Sequence, residues 1–344
     1  MKRVLSFLQS SAFRTGFLVV ALIAAVWAVA GNWSEVSGAL NALPAWMIGA
    51  QIVLAFVYVY LTMASWRVIL NDVGAPVTKK VARRIFFSSQ VAKYLPGGVW
   101  NFVAAAEVGR DYEISRRRSI CALMVSIVIS IVTGMLLAVL AVLLGPTEGL
   151  QGYSWLIVAI PVGIVVLCPP VLNRLVNLGL RILKRDPLDD EMSWGGTFLS
   201  ALWSLCGWLV VGFQLWLMLT NLGMSGDFST FWLATGGYAL GWTAGFLVFF
   251  VPAGAGVREV TLAAVLSTAV SPGAVVVVVL LARVFTTIAD IGLGVGASFG
   301  MRRDALAISK ESASGNAIDA PHSDPIGNDS SPDQSEPQAT TSGS

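Results

Sequence analysis

The chain has 344 residues, 56% of them hydrophobic and 12% charged, with a mean hydropathy of +0.74. A soluble domain of this length cannot hide that much apolar surface, so the composition excludes a water-soluble globular protein and indicates a polytopic membrane protein. The net charge of +2 conceals an asymmetry: all 22 Lys and Arg stand at or before Lys310, while six of the 20 acids fall in 311–344, leaving a body of +8 (22 − 14) and a tail of −6.

Lys2, Arg3 and Arg14 precede an apolar run over about 15–33, where Ala28-Val29-Ala30 resembles a signal-peptidase site; retention of this helix is the preferred reading. A span follows at about 44–66, then a basic loop with Arg67, Lys79, Lys80, Arg83 and Arg84. The positive-inside rule places the N-terminus and this loop in the cytoplasm. Residues 85–106 are modestly apolar, broken at Pro96-Gly97-Gly98 with Lys93 just before, and followed by Arg110 and Arg116–Arg118. Basic flanks on both sides predict a re-entrant segment or, alternatively, an amphipathic helix on the inner leaflet.

Spans are predicted at about 119–144 and 153–172, the latter with Pro161 and Pro169-Pro170 able to kink or end it. A mixed-charge cytoplasmic loop at 173–196 leads to a span at about 197–220. Residues 230–270 hold a second break, F-L-V-F-F-V-P-A-G-A-G-V-R-E-V-T-L at 246–262. They read as a hairpin dipping from the outer face or as two full crossings, both arms being long enough for either. A last span at about 273–298 ends at Arg302 and Arg303, and the Ser/Pro/Asp/Gly-rich remainder from 311 is expected to be disordered.

The fold class is therefore all-α polytopic membrane, with about six full spans and two Pro/Gly-broken re-entrant segments. Second spans near 45 and 197, prolines at 96 and 252, and last spans near 119 and 273 give offsets of 152 (197 − 45), 156 (252 − 96) and 154 (273 − 119). That spacing, with opposite starting sides, predicts an inverted 4+4 repeat: a segment 1–14, repeats at 15–144 and 145–300, and a cytoplasmic tail at 301–344. The site of such a protein lies near the midplane between the breaks.

Pro252 removes a backbone donor, and Gly254 and Gly256 permit angles that a helix does not use. Arg258 is the first candidate, a forked cation suited to a phosphate, with a structural ion pair or a snorkelling side chain as the plain alternative. Glu259 would hold that arginine or carry a proton. Arg283 stands near mid-bilayer and needs a partner: Glu259 or a ligand phosphate, since Asp290, itself a candidate at the lipid site and for proton coupling, lies seven residues on and too far for a direct bond without help. Lys93 would meet a headgroup or anchor at the interface. Glu107 and Arg110 read as a surface pair, Trp100 and Trp242 as belt or packing residues, and Gly292, Gly294 and Gly296 as close helix packing. Cys121, Cys168 and Cys206 sit in apolar segments, and His322 in the tail is the only histidine, so neither a metal nor a cofactor is expected.

K-Y-L-P-G-G-V-W at 93–100, V-P-A-G-A-G-V-R-E at 251–259 and A-R-V-F-T-T-I-A-D at 282–290 resemble the lysylphosphatidylglycerol synthase transmembrane-region family. The resemblance covers roughly 10–300. It implies a flippase-like bacterial plasma-membrane protein that moves a phospholipid or lipid-linked substrate, aminoacylated or otherwise decorated, between leaflets. Arg258, Glu259 and Arg283 match the family's polar positions at the lipid cavity. Bifunctional members carry a soluble aminoacyl-transferase domain after the membrane part; only the tail follows here, so no enzyme activity is expected. The alternative is a non-catalytic scaffold or accessory subunit working with a separate synthase or glycosyltransferase. No nucleic-acid partner is expected.

Overall fold

The computed structural model describes residue 30 and residues 33–95, 99–145, 157–182, 186–188, 190–248, 254–267 and 269–318, with only the backbone beyond Met301. Every regular element among them is helical. Helix α1 is Trp33–Ala42, α2 Ala45–Asp72, α3 Lys79–Ala92, α4 Trp100–Arg110 and α5 Arg116–Leu144. Helix α6 is Ala159–Leu167, α7 Pro169–Ile182, α8 Trp194–Asn221, α9 Phe228–Leu247, α10 Val257–Leu266 and α11 Pro272–Ile318. Four of these, α2, α5, α8 and the part of α11 up to Met301, are long and apolar enough to cross a membrane. The predicted first span at 15–33 falls almost wholly outside the described residues, as do Pro96, Gly97, Gly98 and Pro252.

The helices start where local chemistry supplies caps. The Ser115 hydroxyl accepts from the Arg118 amide, Ser193 from Gly196, and the Asp227 carboxylate from Thr230 at 2.8 Å, each satisfying a first-turn donor. Thr78 does the same for α3, so the basic run Lys79–Arg84 is the opening of a helix and not the loop the charge pattern suggested. After α2 and α8 the chain turns at Gly74 and Gly223, with φ of +77° and +97°.

The expected span at 153–172 is bent at Pro169-Pro170, one of the places where the sequence allowed a kink or an end. Helices α6 and α7 meet at a 77° bend, because Pro169 and Pro170 cannot continue the α6 hydrogen-bond ladder. Helix α7 then runs on to Ile182, into the stretch expected to be a loop. The α11 helix likewise continues to Ile318, past 311 where structureless chain was expected.

Polar rungs fasten the bundle. Gln51 Nε2 donates to the Gln214 carbonyl at 3.0 Å, and Gln214 Nε2 returns a bond to the Gln51 carbonyl at 3.1 Å. The hydroxyls of Ser65 and Ser200 lie 2.8 Å apart, and Asp72 accepts from the Ser193 amide and hydroxyl at 2.7 and 2.8 Å. The partner numbers fall as the α2 numbers rise, so α2 and α8 run antiparallel. Thr133, Ser204 and the Trp208 indole N–H tie α5 to α8 by the same means. Trp66, Met63, Ile69 and Leu215 fill the interior, while Trp46, Val53, Phe198 and Phe213 remain exposed on the outer faces of the long apolar helices.

Candidate functional site

Helices α9 and α10 form an antiparallel pair of unusual closeness. A side chain on Gly241 would stand 2.9 Å from the Arg258 carbonyl, and one on Gly245 would stand 3.3 Å from Gly254 Cα. With Gly237 against Val265, these glycines recur every four residues on α9 and let α10 approach backbone to backbone. At the turn, Gly254 and Gly256 have φ of +67° and +84°, as expected of glycines at the break. The Gly256 amide donates to Glu259 Oε2 at 2.6 Å, fixing the start of α10.

The two neighbours of the predicted pair have different partners. The Arg258 guanidinium lies over the Tyr238 ring, 4.4 Å from its centre, a cation–π contact. Glu259 instead turns its Oε1 toward Arg283 Nε, 3.6 Å away. Asp290 is 1% exposed, and its Oδ2 accepts from both Lys93 Nζ and the Tyr94 hydroxyl at 2.7 Å. Its Oδ1 has no hydrogen-bond partner among the described residues. The end of α3 is thereby pinned to the middle of α11. Gly294 allows this, since a side chain there would strike Val91 and the Phe87 carbonyl.

These groups surround one cavity of about 360 Å³, lined by Lys93, Tyr94, Arg258, Arg283 and Asp290 among apolar and aromatic walls. Lys93, Arg258, Arg283 and Asp290 are thus brought together from three separate stretches of sequence. Glu259 stands one contact behind, and Gly254 lines the wall. Asp290 and Arg283 do not pair, as the spacing foretold.

Sequence reasoning did not assign the aromatic residues to the site, Trp242 having been read as a belt or packing residue. Tyr58, Tyr94 and Trp242 line the cavity, and Tyr238 carries Arg258; Trp242 stacks on Phe246 with ring centres 5.6 Å apart. The glycine period at Gly237, Gly241 and Gly245 was readable and would have marked α9 as the backing of the break. Of the α11 glycines, Gly292 faces the Phe56 ring and Gly294 faces α3, whereas Gly296 meets nothing within 4 Å. Glu107 pairs on the exposed surface with Arg116 at 2.7 Å and Arg110 at 3.2 Å.

The family described as lysylphosphatidylglycerol synthase TM region matches residues 15–294. The chain belongs to this family. The match to the lysylphosphatidylglycerol synthase TM region takes in both breaks and every cavity residue named above. No match was found among curated proteins or among solved structures.

Proposed function

We propose that this chain is a flippase-like protein of the bacterial plasma membrane. It passes the headgroup of an anionic lipid between leaflets, with the phosphate met by Arg258 and Arg283 near the midplane, and performs no chemistry on it. The observation that carries this reading is the cavity: three cations and one buried carboxylate gathered inside a bundle whose long helices are otherwise apolar. Charge inside a membrane bundle is costly, and its usual use is a substrate path.

Helix dimensions support the re-entrant arrangement. Helix α10 has 10 residues, which rise about 15 Å, half of a hydrocarbon core of about 30 Å. Helix α4, with 11 residues, is equally short. The short return arm α10 favours a hairpin over two full crossings at the second break, its other arm α9 having 20 residues. The basic residues Lys79–Arg84, Arg116–Arg118, Arg174 and Arg181 define the cytoplasmic face, and both termini lie on that side.

An inverted repeat is supported at the level of single residues. Helices α2 and α8 begin at 45 and 194, and α3 and α9 at 79 and 228, both 149 apart. The same offset carries Gly74 to Gly223, Gln51 to Ser200 and Ser65 to Gln214. A two-fold operation thus exchanges the glutamine rung with the serine rung, which is what an axis in the membrane plane between α2 and α8 requires.

The test is transfer of fluorescent phosphatidylglycerol between leaflets of liposomes holding the full chain, read by quenching from outside. Transfer well above that of protein-free liposomes is expected, and Arg258→Ala should abolish most of it. A wild-type rate equal to that of empty liposomes, or a correctly folded Arg258→Ala with full transfer, overturns the reading.

A further inference from the structure

We infer that the cavity is set to accept a headgroup bearing one net negative charge, a single phosphodiester, and to discriminate against lipids carrying a diphosphate; the inference rests on the translocation reading for the identity of the ligand as a lipid. It comes from the charges around the cavity. Lys93 is compensated by Asp290 at 2.7 Å and Arg283 by Glu259 at 3.6 Å. Arg258 rests on the Tyr238 ring and, among the described residues, pairs with no carboxylate. The remaining described lining is uncharged, including Gln90, Asn101, Ser126 and Ser130. The site as a whole therefore carries one uncompensated positive charge.

In a low-dielectric enclosure a ligand that cancels this charge is favoured, and one that overshoots it is penalised. One phosphodiester brings the site to neutrality. A diphosphate overshoots, unless it draws Lys93 away from Asp290. That exchange is unfavourable, because Asp290 is buried, its Oδ1 is already unpartnered, and only the Tyr94 hydroxyl would remain to it. Asp290 accordingly acts as a specificity-determining residue by withholding Lys93 from the ligand.

The test is competition binding to the full chain in detergent, against bound fluorescent phosphatidylglycerol. The competitors are short-chain phosphatidylglycerol and diacylglycerol pyrophosphate with the same acyl chains. The wild type should prefer the monoanion by about tenfold or more, a difference of about 1.4 kcal/mol. Asp290→Asn frees Lys93, so the preference should vanish or reverse. The double variant Lys93→Met with Asp290→Asn removes one charge of each sign and should restore the wild-type order. Equal binding of the two lipids by the wild type overturns the inference, as does a double variant that keeps the preference of Asp290→Asn. Should Asp290→Asn fail to fold, the folded double variant decides alone: wild-type order supports the inference, and loss of that order overturns it. Charge preference in binding without transfer in liposomes leaves this inference standing and defeats the translocation reading. Transfer without charge preference does the reverse.

Discussion

Replacing Gly254 by alanine tests the architecture that holds Arg258 in the cavity. The backbone there has φ of +67°, a left-handed conformation that costs an L-residue about 1–2 kcal/mol. The added methyl would also stand 2.9 Å from Gly245 Cα and 3.0 Å from the Gly245 carbonyl carbon and oxygen. Those atoms are backbone and cannot rotate aside, so α9 and α10 must separate, an overpacking cost of about 1–3 kcal/mol. Together the substitution should destabilise the protein by about 2–5 kcal/mol. The assay is unfolding of the full chain in detergent, with Gly296→Ala as control, since nothing lies within 4 Å of that position. Gly296→Ala should be close to neutral. The reasoning is refuted if Gly254→Ala unfolds with the wild type while a shift of the same size appears at Gly296.

Trp208→Phe removes the indole N–H that reaches the Ser130 carbonyl and Thr133 hydroxyl, both at 3.2 Å, and should cost about 0.5–1.5 kcal/mol by the same unfolding measurement. Donors around Asp227, the Thr230 amide foremost, then the Thr230, Ser225 and Ser229 hydroxyls, hold its carboxyl down to about 2. Its folded value is thus below the unfolded value of about 3.9, so its contribution is fully present above about pH 4 and is lost as the pH falls toward 2. Thermal unfolding of Asp227→Asn should lack that part of the acid-side loss, and identical pH profiles would contradict the assignment. Removal of residues 311–344 should leave lipid transfer intact; loss of function in a folded truncation would favour a scaffold acting through the tail.

Much of the fold was legible because membrane spans announce themselves one residue at a time. Long apolar runs gave α2, α5, α8 and the part of α11 up to Met301 to within about six residues, since the penalty for polar groups in hydrocarbon acts on each position separately. The break at Gly254 and Gly256 was readable for a related reason, glycine being the residue that accepts positive φ. The bend at Pro169 was visible only as a possibility, because a proline in an apolar run is compatible with a kink or an end. Helix α7 beyond it was missed, its basic residues having suggested a loop. The pairing of charges was legible only in part: Glu259 was one of the two partners expected for Arg283, whereas the hold of Asp290 on Lys93 had no signal in the sequence. Glu259 adjoins Arg258 in sequence yet serves Arg283, and Asp290 shares a helix with Arg283 yet holds Lys93.

By itself the sequence determined that this is a membrane protein, where its long helices run, where the chain must break, and which family it joins. Only the tertiary structure decided which cation keeps a carboxylate and which is left on an aromatic face. Hydropathy and backbone preference are properties of a residue and its near neighbours. Charge compensation depends on distances of a few ångströms between stretches nearly two hundred residues apart, and those distances exist only once α3, α10 and α11 are packed together.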